Sequence, residues 1–553
     1  MTMTSGELKH ALAAIVRGEV LDDPQELARV SRDTSIFEVR PKLLVRPKDA
    51  DDVSAVVRYV REKKDAGEDI ALAGRSAGTD MTGGPLTEGI VLEYTPHMNT
   101  LRELGDGYAV VEPGMYYRDF EKAVRARGLL MPSYTASKDL CAVGGMVNNN
   151  SGGEKTLTYG KTENYVESVR VVLSDGSQCE FRKLSREELE EKKRLSTMEG
   201  EIYRRMHELI EKNYELLKRA KPNVTKNSAG YALWNVYDRD AGTFDLSKLI
   251  VGSQGTLAQL TEIRFRLIHP KPHARLVVIF LNEVRTVAEV IHRVLKFKPE
   301  SLESYDDHTL RFAVRLFPMI MKRMKGSAIS LGFRFFPEFK AVLTGGVPKL
   351  ILLAEFTGET EDEARKKAKI AADALRKDGY NARLTASEQE AEKYWVMRRE
   401  SFNLLRQKME HVRTAAFIED FAVHPDDLPK FLPELYEILD RYPLTYTTAG
   451  HMGDANFHII PLMDMSDPKA QPMIVEIMDQ VYDLILKYKG TITAEHNDGL
   501  IRSRFLPKMY GEEVYRLFEE TKHIFDPANI MNPGKKVGAS LEYALAHMVK
   551  GND

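Results

Sequence analysis

Strand-length apolar runs alternate with amphipathic helical stretches along most of this chain. PKLLVRPKDA (41–50) opens with a short strand, and DDVSAVVRYVREKK (51–64) follows with apolar positions at helical spacing. Its leading Asp51 and Asp52 suit the partial positive charge of a helix N-terminus. DIALAG (69–74), GIVLEY (89–94), YAVVEPG (108–114) and VESVRVVLSDG (166–176) read as strands, and a helix near 117–127 is predicted to stop at Gly128. Residues 184–220 form a strongly charged helical excursion before the chain returns at 246–268. HPKPHA (269–274), with two prolines, is the best domain boundary. Beyond it ARLVVIFL, TVAEVIHRVLKF, KLILLAEF and a long helix at 360–378 repeat a β-α-β-α rhythm around a less regular 300–345. The pattern predicts an α+β protein with a helix-covered sheet in its second half.

A chain of 553 residues exceeds one core, so two or three domains are expected. Lys+Arg (79) nearly balance Asp+Glu (82), leaving a net charge of −3 and no global field for nucleic acid or an anionic membrane. Cys141 and Cys179 are the only cysteines, which excludes a disulfide scaffold and any four-cysteine metal site and suits a reducing cytoplasm. The first twenty residues read as an amphipathic helix rather than a signal peptide, and no apolar run reaches the roughly 20 residues of a membrane span. A cytoplasmic location is expected, with peripheral membrane contact and a homodimer left open.

Three glycine-rich segments carry candidate chemistry. Gly74–Gly84 combines glycines with Arg75, Ser76, Thr79 and Thr82 as donors suited to a phosphate, and no G-x-G-x-x-G opens a helix there. Gly144–Gly153 sets three asparagines among four glycines, a donor-rich wall for a pyrophosphate or a flat polar ring. Gly160-Lys161-Thr162 imitates a P-loop, but Lys155 stands where that motif needs its first glycine. The third segment is Gly252-Ser253-Gln254-Gly255-Thr256-Leu257. Each alone is weak; their order resembles the FAD-binding domain of the vanillyl-alcohol oxidase/para-cresol methylhydroxylase (PCMH) superfamily over about residues 33–268.

That resemblance implies FAD contacts from Arg75, Ser76, Ala77, Gly78, Thr79, Thr82, Gly83, Pro113, Gly114, Gly144, Gly145, Asn149, Gly152, Gly160, Gly255 and Ile263. Many relatives tether the flavin through a histidine where this chain has Thr79, and Cys141 lies at the wrong offset for a cysteinyl bond, so non-covalent FAD is expected.

A second constellation lies far along the chain: Gly450-His451-Met452-Gly453-Asp454-Ala455-Asn456-Phe457-His458, then Ala494-Glu495-His496-Asn497-Asp498-Gly499. On one uninterrupted strand His451 and His458 would face opposite sides, but a turn between them can bring both imidazoles to one point. With Glu495 they make a divalent-metal site suited to Zn²⁺, Mn²⁺ or Fe²⁺. These motifs resemble the C-terminal domain of FAD-linked D-lactate, glycolate and D-2-hydroxyglutarate dehydrogenases. The resemblance implies His451, His458 and Glu495 as ligands, Asn456 as a substrate contact, His496 as base and Arg398 of Trp395-Val396-Met397-Arg398 as the partner of the substrate carboxylate.

Ala455 replaces a glycine of the family turn, and Asn497-Asp498 breaks its Glu-His-Gly, so Asp498 is expected to reshape the pocket. Arg399, Arg406, Lys408 and Arg413 are further candidates for a second substrate carboxylate.

The implied division is an N-terminal helical segment (1–32), a PCMH-type FAD-binding domain of two α/β subdomains (33–270, with the excursion at about 184–245), a substrate (cap) domain with an antiparallel sheet (271–510), and a C-terminal segment returning to the first domain (511–553). The implied function is oxidation of a D-2-hydroxy acid to the 2-oxo acid, with hydride passing to flavin N5. Electrons then leave to an external quinone, flavoprotein, cytochrome or O₂. The rival readings are an alkyl-glycerone-phosphate synthase-like transferase, which should show adjacent histidines that this chain lacks, and a sugar or aromatic-alcohol oxidase, which would not need the histidine turn.

Overall fold

A computed structural model describes residues 4–307, 346–407 and 412–551. Most of the irregular 300–345 stretch, Lys408 and the side chain of Arg406 lie outside the described residues. The N-terminal segment is not wholly helical. Between helices Ser5–Ala13 and Pro24–Val30 it supplies strand Glu19–Leu21, which pairs antiparallel with Leu43–Arg46. That strand edges a four-stranded sheet whose other members, Leu43–Arg46, Ile90–Glu93 and Leu72–Arg75, run parallel. Helix Ala50–Asp65 packs Val53, Val56, Val57 and Val60 into this sheet's core. Its cap is Asp49, which accepts from the N–H groups of Asp51 and Asp52; Asp52 itself is buried and accepts from the backbone of Arg17, Gly18 and Lys48.

The second layer is a seven-stranded sheet whose pairings are all antiparallel, packed with helices. Strand Gln259–Arg266 lies between Tyr108–Val111 and Val166–Val172. The charged excursion forms helices Arg186–Lys193, Met198–Lys212 and Tyr214–Ala220, then rejoins this sheet's edge through Thr243–Asp245. Its apolar side (Ile202, Tyr203, Met206, Leu209) completes the sheet's core, so only its outer face is solvated.

The chain passes at 267–272 into an eight-stranded sheet whose pairings are all antiparallel. Strands His273–Leu281, Ser301–Asp306, Leu350–Gly358, Thr445–His451 and Asn456–Met463 make most of it, with helices Val287–Leu295, Glu361–Lys377, Leu428–Leu439 and Ala470–Lys487 packed in its core. Beyond helix Leu506–Phe525 the tail returns to the first domain. Leu72 donates to the Ile530 carbonyl, and Asn532 donates to the carbonyls of Gly84 and Gln254.

This tail carries a buried lysine with a testable signature. The Lys535 ammonium donates to the Leu86 carbonyl at 2.6 Å, and burial pushes its pKa down to about 7. A lysine whose folded pKa is depressed penalises the fold below that pKa, and the penalty fades as pH rises toward its unfolded value. Lys535→Met removes the titration. Between pH 7 and 9 the wild type is expected to gain on this variant in urea denaturation, by up to about 1.4 kcal/mol per pH unit. A pH-independent difference would exclude the effect.

Candidate active site

One cavity of about 530 Å³ runs from the glycine-rich segments to the histidine turn, within the usual range for small-molecule sites. Arg75, Ser76, Ala77, Gly78, Thr79, Pro113, Gly144, Gly145, Asn149, Gly152 and Gly255 line it. The second glycine segment is a short helix, Val143–Asn149, and Asn150 ends it in the left-handed region (φ 49°). Gly144 lets this helix sit on Pro113, since a Cβ there would lie 2.5 Å from the proline ring.

Five other expected flavin contacts lie off the cavity. Thr82 is buried and bonds Asp80, and Gly83 packs on Phe37 and Leu500. Gly114 is pressed against the Tyr94 and Met98 carbonyls, and Gly160 turns against Asn164. Ile263 lies in the sheet's core beside Val111 and Val169. These residues shape the cradle from behind. Arg75 lines the cavity, but its guanidinium bonds the carbonyls of Val30 and Arg32. Cys141 also lines it, buried, with its thiol pushed up to about 11 by that burial, which makes it a poor nucleophile. Asp80, Asn148 and Gln254 lie within the glycine segments but were given no contact in the sequence analysis, which also passed over Tyr94 and Gln259; all five line the cavity.

At the far end, strands Thr445–His451 and Asn456–Met463 form a hairpin in which Ala449 pairs with His458 and His451 with Asn456. Met452–Asp454 and a left-handed Ala455 (φ 47°) make its tip. The His451 and His458 ring centroids are therefore 5.4 Å apart, and His458 stacks on His496 at 5.0 Å. All three imidazoles present Nε2 to one atom, Glu495 Oε1, at 3.0 Å (His451), 3.4 Å (His458) and 3.6 Å (His496).

Their Nδ1 atoms face carboxylates that sequence reasoning missed. His451 Nδ1 lies 2.7 Å from Glu303, and His458 and His496 share Glu419 Oε2 at 3.3 and 2.6 Å. A carboxylate on Nδ1 orients an imidazole and leaves Nε2 as the ligating or basic atom. Glu303 and Glu419 come from strands or loops remote in sequence from the histidines, so no local motif announces them.

Burial lowers the basicity of His451, but Glu303 and Glu495 outweigh it and leave its pKa raised. The same opposition, with Glu419 and Asp420 prevailing over burial, puts His496 at about 10. Glu419 is held well below the usual carboxylate range against its own burial, by His496 and Arg502.

The donor set fits a divalent cation: two imidazoles and a carboxylate with anchored outer partners. Asp420, His458, Glu495 and His496 also offer ligand atoms within 4.8 Å of one another. Asp420 is the weaker ligand, because it already accepts from Thr493 Oγ1 and from the backbone N–H groups of Ala494, Glu495 and His496. It is the residue that ties the Thr493–His496 turn in place. Five buried carboxylates (Glu303, Glu419, Asp420, Asp454, Glu495) face four buried cations (Lys161, Lys226, Arg398, Arg502), which leaves the cluster an excess of negative charge before the imidazoles.

Two expected substrate contacts are placed differently. Asn456 is fully buried behind the hairpin; its amide donates to Asp420 and to the Phe421 carbonyl, and it does not line the cavity. Arg398 lines the cavity but forms an ion pair with Glu303, while its Nε has no hydrogen-bond partner.

The departures from Glu-His-Gly leave the pocket untouched. Asn497 takes the left-handed conformation that a glycine would supply (φ 75°) and bonds the Gly252 carbonyl at 2.9 Å. Asp498 is fully buried against Lys536 and the Gly230 N–H, away from the cavity it was expected to reshape.

Residues 41–182 match the FAD binding domain family, and residues 270–536 match the family of FAD linked oxidases, C-terminal domain. D-2-hydroxyglutarate dehydrogenase of Pseudomonas putida is 29% identical over 94% of this chain and 50% of its own length. D-lactate dehydrogenase of Archaeoglobus fulgidus is 26% identical over 90% of this chain and 91% of its own. This chain thus spans about half the length of several of the curated relatives it matches. The fold is that of 4-ethylphenol oxidase from Gulosibacter chungangensis, with a TM-score of 0.68, 16% identity and 96% of each chain covered. No helix among the described residues is long and apolar enough to cross a membrane.

Proposed function

Since the chain is built from the FAD binding domain and the C-terminal domain of the FAD linked oxidases, we propose that it oxidises a small D-2-hydroxy acid to the 2-oxo acid. The observation that carries this reading is the convergence of three imidazole Nε2 atoms on Glu495 Oε1 at the end of a glycine-lined cavity. Relatives named for D-2-hydroxyglutarate and D-lactate support the substrate class.

Ser76–Thr79 and Gly144–Gly152 would hold FAD non-covalently as the hydride acceptor, and His451, His458 and Glu495 would hold a divalent cation that would supply Lewis-acid polarisation of the hydroxyl. Arg398, which lines the cavity, would receive the substrate carboxylate through guanidinium N–H groups that Glu303 leaves unused. With a divalent cation offsetting the carboxylates that raise its pKa, His496 would be neutral and would take the hydroxyl proton on Nε2, because Nδ1 is committed to Glu419 at 2.6 Å. Glu303 and Glu419 keep the rings from rotating, and Lys226, 3.2 Å from Glu495 Oε2, keeps that carboxylate turned toward the histidines. Asn456 and Asp420 close the pocket from behind, and the reduced flavin would need an external electron acceptor.

The test is anaerobic bleaching of the flavin in protein reconstituted with FAD and Mn²⁺ or Zn²⁺. A D-2-hydroxy acid is expected to bleach it, and chelator treatment to slow the bleaching at least tenfold with the flavin still bound. A flavin that stays oxidised against every 2-hydroxy acid of either hand would overturn the proposal.

A further inference from the structure

Lys226 joins the two ligand-bearing turns from the opposite lobe. Its ammonium lies 3.2 Å from Glu495 Oε2 and 3.4 Å from Asp454 Oδ2, with no exposure to solvent. Asp454 belongs to the hairpin tip between His451 and His458, and Glu495 to the turn that carries His496.

Its place is set by the backbone as well as by these ion pairs. Thr225 Oγ1 donates to the Asp454 carbonyl at 3.3 Å, the Ser228 N–H to the Thr493 carbonyl at 3.0 Å, and Lys161 Nζ to the Asn227 carbonyl at 2.8 Å. A neutral side chain of similar length at 226 therefore leaves the local chain path supported.

The two oxygens of Glu495 are divided between partners. Oε1 faces the three imidazole Nε2 atoms, whereas Oε2 faces Lys226 and is pressed toward Gly152, where a Cβ would lie 2.9 Å from it.

We infer, resting on the divalent-cation reading above, that Lys226 is a positioning residue that confines Glu495 to one ligating oxygen and holds down the site's affinity for its cation. A carboxylate ligating through both oxygens fills a further position on the ion, one that substrate oxygens need. A fixed positive charge buried beside the site repels a second cation with little screening by water. Its removal leaves the five buried carboxylates of the cluster facing Lys161, Arg398 and Arg502. Loss of Lys226 therefore tightens cation binding, whereas loss of a purely structural support would loosen it.

The experiment is a Mn²⁺ titration of the full chain loaded with FAD, read from the free-ion EPR signal, on the wild type, Lys226→Met and Lys226→Gln. Both variants are expected to bind Mn²⁺ at least about fivefold more tightly than the wild type. Equal or weaker binding by a folded variant overturns this inference and leaves the cation site standing; a wild type that binds no Mn²⁺ overturns both. A crystal structure of the Mn²⁺-loaded wild type decides the matter without any variant. Glu495 is expected on the ion through Oε1, with Oε2 still on Lys226, and both oxygens on the ion would sink the proposal.

Discussion

His496→Ala is expected to keep FAD bound and lose about 10²–10⁴-fold in the rate of anaerobic flavin reduction, the range of a positioned general base. The ring is stacked on His458 and anchored through Nδ1 on Glu419, which fixes the Nε2 position that alanine would leave empty. His451 and His458 have their Nε2 atoms closer to Glu495 and are assigned to the cation. Rapid-mixing spectroscopy of the reconstituted variant measures the loss directly, and the oxidised flavin spectrum shows whether the cofactor site is intact. A variant with unchanged reduction rate would remove His496 from the mechanism.

Arg502→Met should destabilise the protein by about 3–5 kcal/mol, the usual cost of breaking a buried ion pair from one side. Arg502 is wholly buried, pairs with Glu419, and donates to the Glu419 and Asn497 carbonyls. Methionine fills much of the volume but leaves Glu419 charged among two imidazoles with no fixed cation. Thermal denaturation is expected to move down by about 3–4 °C. A shift under about 1 °C would mean that Glu419 is neutralised by other means, the histidines foremost. Flavin reduction should slow as well, since the carboxylate that orients His496 loses its own anchor.

The glycine segments, the histidine turn and Glu495 were legible because each depends on a local requirement. A turn needs a left-handed residue, a tight approach needs no side chain, and a chelating pair needs a fixed spacing. The hairpin argument for His451 and His458 needed only strand parity, and the register of Ala449 with His458 has the geometry it called for. The partners that tune these groups were not legible. Glu303, Lys226 and the adjacent Glu419 and Asp420 reach the site from three separate segments, and nothing around them in sequence distinguishes them from surface charges.

The same limit explains Arg398 and Asn456. Their motifs placed them near the site, but whether a guanidinium faces a substrate or a glutamate depends on a strand about a hundred residues away. Asp498 shows the converse. It was conspicuous as a departure, yet its charge is absorbed by Lys536 of the distant tail. Ala455 and Asn497 both adopt positive φ where glycine is the easier residue, so the backbone path persists although the glycines do not.

The seam between the two halves is stitched by charge as much as by apolar contact. Lys155 reaches across to Glu300 and Glu355, Glu154 to Arg399, Lys226 to Asp454 and Glu495, and Lys161 to the Ala494 carbonyl. Pulling the halves apart would strand three ammonium groups and the Glu154 carboxylate on one face and their partners on the other. The unit of folding is accordingly the whole two-lobed body, and a gene cut at the proline-rich hinge would yield two fragments with complementary, sticky faces.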